Sequence, residues 1–90
     1  MTAVSRTVLI TNKRGLHARA SAKFVTIAAG LPATIEVEKD GARVTGTSIM
    51  GLMMLGAAMG DSVTISAIGD GAANAVETLA TLVEGKFGEE

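Results

Sequence analysis

Two stretches of this chain alternate apolar and polar residues with a strict period of two, and that pattern limits the folds open to it. In Ala33–Glu38, Ile35 and Val37 share one face while Thr34, Glu36 and Glu38 share the other. In Ser62–Ile68, Val63, Ile65 and Ala67 alternate with Thr64 and Ser66. Successive side chains of a strand point to opposite faces, so clean alternation marks a sheet with one covered face and one face in water. Something must cover the apolar face, and helices between the strands are the means at hand.

The remaining elements follow from spacing and punctuation. Residues 3 to 11, rich in Val, Ile, Leu and Thr, read as a first strand, with Val4, Thr7 and Leu9 among polar neighbours. Asn12-Lys13-Arg14-Gly15 is the loop after it. From His17 to Ala29 there is neither Gly nor Pro, and Ser21, Phe24, Val25 and Ala28 recur at helical spacing. This predicts an amphipathic helix that Gly30 stops, with Pro32 just beyond. Asp40-Gly41 signals a tight hairpin, and a strand around Arg43 to Thr45 returns antiparallel. Thr47 and Ser48 are candidate caps for a short second helix through Leu55, closed by Gly56 and Gly60. Asp70-Gly71 opens the last helix with Asp70 as its expected cap, and Ala72, Val76, Leu79, Ala80 and Val83 supply the apolar stripe. The segment Gly85–Glu90 is expected to fray, with Phe87 the one residue able to pack back. The order βαββαβα predicts an α+β open-faced sandwich, and 90 residues are expected to form one domain, 1–90.

Composition excludes several classes of function. Only two residues are aromatic, so the core must be built from Ala, Val, Ile, Leu and Met. The formal net charge is −1, too small a basic character for bulk nucleic-acid binding, which would also want aromatic stacking groups. The charge is uneven: Arg6, Lys13, Arg14, Arg19 and Lys23 make the first quarter basic, while Glu84, Glu89 and Glu90 make the end acidic. No apolar stretch is long enough to span a bilayer and no signal-peptide segment is evident, so a soluble, cytoplasmic protein is expected. One histidine and no cysteine cannot form a usual zinc site, and no metal or cofactor is expected. Neither a phosphate-cradling loop nor a dinucleotide-binding glycine run is present, and no nucleophilic triad can be argued from spacing.

The single histidine sits where chemistry is favoured. His17 stands at the start of the first helix, where unpaired backbone N–H groups and the positive dipole end attract anions. Arg19, two residues on, adds a fixed positive charge suited to phosphate or carboxylate. A lone histidine is more often an ordinary residue, but imidazole retains a nucleophilic nitrogen near neutral pH, and a phosphoryl group here would meet the N–H groups of Ala18 and Arg19. Arg19 is then more than a solvated charge: it can stabilise the transferred phosphoryl group.

Gly15-Leu16-His17-Ala18-Arg19, together with Thr47-Ser48-Ile49-Met50-Gly51-Leu52, resembles HPr, the histidine-containing phosphocarrier of the bacterial phosphotransferase system. The resemblance covers essentially the whole chain, and two separated motifs in the right relation make it specific. The nitrogen-related branch, NPr, is also similar, and the ending Gly85–Glu90 looks closer to it. The resemblance implies a four-stranded antiparallel sheet with three helices on one face. It implies a carrier rather than a stand-alone enzyme: enzyme I phosphorylates His17 on Nδ1, and the group passes to a histidine of an enzyme IIA. Sugar transport is the implied role of the main branch. The family usually carries Pro after the Arg of the motif; Ala20 takes its place here and keeps the helix without presetting φ.

The same resemblance assigns a regulatory phosphorylation to the position of Ser48, by an HPr kinase/phosphorylase, although a helix cap already accounts for a serine there. The alternative functions are therefore a nitrogen-branch carrier or a binding module dependent on Ser48 phosphorylation. Methionines are ordinarily core filler, but a short helix cannot bury every side. Leu52 and Leu55 are expected inside, and Ile49, Met50 and Met53 outside, as a face for enzyme I and enzyme IIA, with Ala22 and Lys23 nearby by resemblance. A carrier that meets several partners is expected to be monomeric.

Overall fold

The computed structural model describes residues 3–89. Four strands form one sheet: β1 (Ala3–Leu9), β2 (Thr34–Lys39), β3 (Ala42–Thr45) and β4 (Ser62–Ile68), in the spatial order β1-β4-β2-β3. Every pairing is antiparallel. Three helices, α1 (Ala18–Ala29), α2 (Ile49–Met54) and α3 (Ala72–Glu84), cover one face. The open-faced sandwich expected from the alternation is the fold observed, with one addition, a short 3₁₀-type turn over Lys86–Gly88.

Register explains the core. Val8 stands opposite Val63, and Val37 and Arg6 flank Ile65 on either side, while Ile35 and Val4 flank Ala67. These rows point at the helices, and Val8, Ile35, Val37, Val63, Ile65 and Ala67 are buried. The opposite face is polar: the Ser5 and Ser66 hydroxyls lie 3.0 Å apart, and those of Thr7 and Thr64 lie 2.9 Å apart. Arg6 falls on the inward parity of β1, which hides that strand's alternation in the sequence. Its stem runs along the core margin and its guanidinium reaches Glu77 at 2.8 Å and Glu84 at 3.0 Å, tying β1 to α3.

The helices supply the other half. Ala20, Ser21, Phe24 and Ala28 of α1 are buried, as are Ala72, Ala75, Val76, Leu79, Ala80 and Val83 of α3. Asp40 and Gly41 both take positive φ, 50° and 85°, the tight hairpin turn that Asp-Gly favours. Two expectations are corrected. The cap of α3 is Gly71, in a left-handed conformation with no side-chain cap bond, so the helix begins one residue later than Asp70 would set it. The segment after α3 does not fray as far as it is described, since Phe87 is 1% exposed. Glu90 lies outside the described residues. Among the described residues, no helix is long and apolar enough to cross a membrane.

Both aromatic side chains, Phe24 and Phe87, are therefore core residues. Phe87→Ala is expected to cost about 3–5 kcal/mol, the usual penalty for emptying a buried phenylalanine site. Urea denaturation measures this, and a cost no larger than that of an exposed-residue truncation would contradict the packing of this segment.

Candidate functional site

The loop between β1 and α1 is fixed before His17 is reached. Beyond β1, Ile10 N–H donates to the Asp61 carbonyl and the Ile10 carbonyl accepts from Gly60 N–H, both at 2.8 Å. Leu16 N–H then donates to the Ala57 carbonyl at 2.9 Å. Gly15 makes that approach possible. Its φ is +62°, and a Cβ there would stand 2.3 Å from the Ala57 oxygen. The side-chain amide of Asn12, fully buried, donates to the Gly15 carbonyl at 2.8 Å and closes the turn.

His17 is thereby delivered as the cap of α1 rather than as its first helical residue. Its φ and ψ are extended, its carbonyl accepts from Ser21 N–H at 2.9 Å, and its Nδ1 accepts from Arg19 N–H at 3.3 Å. Cap positions usually carry a Ser, Thr, Asn or Asp oxygen; here a ring nitrogen takes that place. Nε2 faces the Glu89 carboxylate, with Oε2 at 2.5 Å. The other carboxylate oxygen accepts from Asn12 Nδ2 at 3.1 Å. The hydrogen bond from His17 is the first cause holding the Glu89 carboxyl below its usual range, with help from Asn12 and the Arg14 charge. The His17 side chain is 13% exposed, so approach to it is confined to one side.

That side opens into a cleft of about 440 Å³ lined by Lys13, Arg14, His17, Arg19, Lys23, Gly88 and Glu89. Arg19 is exposed and, among the described residues, makes no salt bridge, so its guanidinium is available to an incoming anion. Ala18 is the first helical residue and exposed, its N–H among the donors that a helix start leaves unpaired. Ala20 is fully buried, and α1 runs regularly through it without a proline. Lys23 also donates to the Phe87 carbonyl at 2.7 Å. A second, shallow groove shares Arg19 and Lys23 with the cleft and continues along α1 past Ala22, Thr26 and Ile27 to Leu82.

The second motif stands on α2. Ser48 is its cap, its Oγ accepting from Gly51 N–H at 2.9 Å, whereas Thr47 pairs instead with the Thr45 hydroxyl at 3.2 Å. Leu52 and Leu55 are buried, while Met50 is 71% exposed and Ile49 and Met53 are exposed beside it, as expected from their spacing. The structure thus gathers His17, Arg19 and Lys23 at the cleft, with Ala18 beside them as the first residue of α1 and Ala22 on the adjoining groove, and presents Ile49, Met50 and Met53 separately on α2. The sequence reading missed Asn12 and Glu89. The one available signal was the charge asymmetry of the chain, whose basic first quarter and acidic end meet at this cleft.

Gly15→Ala is expected to lower stability by up to about 3 kcal/mol, because the added methyl meets backbone that cannot yield cheaply. A thermal melt unchanged from the parent would contradict this close approach. The Glu89 pair has a pH consequence with a definite sign. Its carboxyl is depressed in the folded state, so its contribution is present above the ordinary glutamate pKa and is lost as pH falls through the lowered value. Unfolding titrations carried into acid are expected to be shallower in Glu89→Gln, and the Glu89 carboxyl carbon is expected to titrate below the ordinary range by NMR.

A family model described as "PTS HPr component phosphorylation site" matches residues 4–85. The phosphocarrier protein HPr of Neisseria meningitidis serogroup A is 44% identical over 86 residues, covering 96% of this chain and 97% of that protein. The phosphocarrier protein NPr of Shewanella violacea is 37% identical over 89 residues, covering 99% and 98%. Among solved structures, HPr-C-His from Thermoanaerobacter tengcongensis superposes with a TM-score of 0.90 at 48% identity, covering 100% of this chain and 99% of that one.

Proposed function

This chain belongs to the HPr phosphocarrier family, and from that premise we propose that it accepts a phosphoryl group from enzyme I on Nδ1 of His17 and donates it to a histidine of an enzyme IIA. The observation that carries the reading is the environment of one atom. Nδ1 faces a backbone N–H, which can only donate, so this nitrogen holds the ring's in-plane lone pair and is the nucleophile. It sits at the start of α1 beside a cleft lined by Lys13, Arg14, Arg19 and Lys23.

The transfer follows from these parts. The Nδ1 lone pair forms the new N–P bond as the bond from phosphorus to the donor breaks, and the departing electron pair returns to the donor. Negative charge on the phosphoryl oxygens is met by the Arg19 guanidinium and by the N–H groups of Ala18 and Arg19 at the helix start. Arg19 N–H, which holds Nδ1 in the resting state, is placed to pass to a phosphoryl oxygen once Nδ1 is occupied. Arg19 being exposed suits a carrier, because charges open to solvent stabilise the bound group only moderately and let it leave.

Partners must reach this edge, and we assign their docking to Ala22 and Lys23 along α1 and to Ile49, Met50 and Met53 on α2. Flexible methionines suit a face that accepts unlike partners. Relatives named HPr and NPr both span nearly the whole chain, so an enzyme IIA of the nitrogen type is a second acceptor to test beside the sugar type.

Incubation with phosphoenolpyruvate, Mg²⁺ and enzyme I is expected to give one acid-labile, base-stable phosphate on His17. His17→Ala should abolish it, and Arg19→Ala should slow transfer by about 10²- to 10³-fold, the scale for losing one charge-stabilising donor. Incorporation that persists in His17→Ala would sink the proposal. Transfer rates to the two types of enzyme IIA decide the branch.

A further inference from the structure

The hydrogen-bond partners of the His17 ring differ in kind, and the difference fixes its protonation. Backbone N–H of Arg19 can only donate, so Nδ1 accepts. An ionised carboxylate can only accept, so Nε2 carries the hydrogen and donates it to Glu89. We propose that Glu89 is a positioning residue for phosphoryl transfer, holding His17 in the tautomer that leaves Nδ1 bare and balancing the ring's charge once Nδ1 is phosphorylated. This rests on the reading of His17 as the phosphoryl acceptor.

Three independent features show that the carboxylate is held at the ring. Asn12 is fully buried, and its amide nitrogen donates both to Glu89 and to the Gly15 carbonyl. Both partners are acceptors, so the orientation of the amide is settled, and one side chain braces the loop before His17 and the carboxylate behind it. Next, Phe87 buries its ring in the core two residues before Glu89, and Lys23 Nζ clasps its carbonyl at 2.7 Å. Finally, the connecting backbone is strained: Lys86, Phe87 and Gly88 have φ of 59°, 55° and 77°. Left-handed backbone is sterically disfavoured at each of the two non-glycine residues. Surrounding contacts hold it there, and such strain gathers at functional sites.

The charges facing the ring add to the case. Lys13 and Arg14 of the loop and Arg19 and Lys23 of α1 line the cleft, and among the described residues Glu89 is the one carboxylate that lines it. These cations favour an anionic phosphoryl group, and they disfavour a positive charge on the imidazole. Yet phosphorylation creates that charge. When Nδ1 bonds to phosphorus, the ring keeps its Nε2 hydrogen and becomes cationic. Glu89 faces the cation and offsets it. On release, the Nδ1–P electron pair returns to the ring as that bond breaks, which restores the neutral tautomer. Nε2 neither gains nor loses a proton in either half of the cycle, so transfer need not wait on exchange with water.

Histidine-selective ¹⁵N NMR of the unphosphorylated protein in mildly alkaline buffer reads the tautomer directly. The parent protein should show Nε2 fully protonated and Nδ1 bare, and Glu89→Ala should show averaged shifts from a mixture of the two tautomers. Phosphorylation of His17 by enzyme I should fall on the order of tenfold in Glu89→Ala, as when a functional imidazole loses its orienting carboxylate. Glu89→Gln, which keeps the shape and removes the charge, should be slowed as well. Circular dichroism confirms that each variant is folded. Unchanged nitrogen shifts in Glu89→Ala overturn the proposal, and so do altered shifts with phosphorylation at the parent rate. A parent protein that takes up no phosphoryl group removes the reading of His17 instead, and the NMR comparison still reports whether Glu89 sets the ring.

Discussion

The bond from Leu16 N–H to the Ala57 carbonyl is the contact on which the rest of the site depends. It lies past the end of β1, where regular pairing with β4 has stopped, and it carries the chain one step further along the same neighbour. Ile10, paired with Gly60 and Asp61, begins this extension, and Gly15, pressed on Ala57, completes it. Helix α1 therefore starts at a point set by the sheet. A helix started one residue earlier or later would turn His17 by about 100° around its axis, away from the cleft. The sheet's rigidity thus becomes positional accuracy for one imidazole.

Burial maintains that accuracy. Leu16 and Ala57 are both core residues, so separating the two loops exposes apolar surface as well as unpairing a backbone donor. Asn12 adds a polar brace from inside, with its amide fully buried and donating twice. A flexible loop could present a histidine, but it would have to order that residue at each encounter and lose entropy each time. Here the ordering is complete before any partner arrives, and what remains mobile by chemistry is the methionine-bearing face of α2.

How far the fold was legible in the sequence depended on how local the deciding force was. β2 and β4 could be read because one face meets helices and the other meets water, which prints a period of two. β1 carries the same parity with Arg6 on the inner face, and its signal is blurred because the guanidinium escapes to Glu77 and Glu84 of α3. Ser48 could be read as a cap because its bond closes within three residues. Asp70 could not be ruled out as one, since Asp and Gly are both accepted at a helix cap and only the backbone shows Gly71 taking that place in a left-handed turn. The segment after α3 was the least legible. Gly, Lys and Glu argue for fraying, while the contacts that hold it, to Lys23, Asn12 and His17, span 64, 77 and 72 residues of sequence. His17 and Arg19 stood out because helix-start chemistry is local; Glu89 did not, because nothing near it in sequence marks it.

The balance of charge at the cleft bears on what a carrier must do. A site built only to bind phosphate would bury its cations and surround the group, and it would hold the group too well to pass it on. This cleft instead leaves Arg19 and the Ala18 backbone exposed, where solvent screens their attraction. It sets a carboxylate on the far side of the ring, at Nε2, where it cannot touch a phosphoryl group on Nδ1. In the proposed cycle the carboxylate therefore acts on the imidazole and not on the cargo. In that cycle the cations lower the energy of the anion, and the carboxylate lowers the energy of the ring that carries it. Separating the two charges on opposite nitrogens would let one small side chain accept and release without rearranging its protons. The fold serves that separation by bringing the start of α1 and the segment after α3 to the two edges of a single ring.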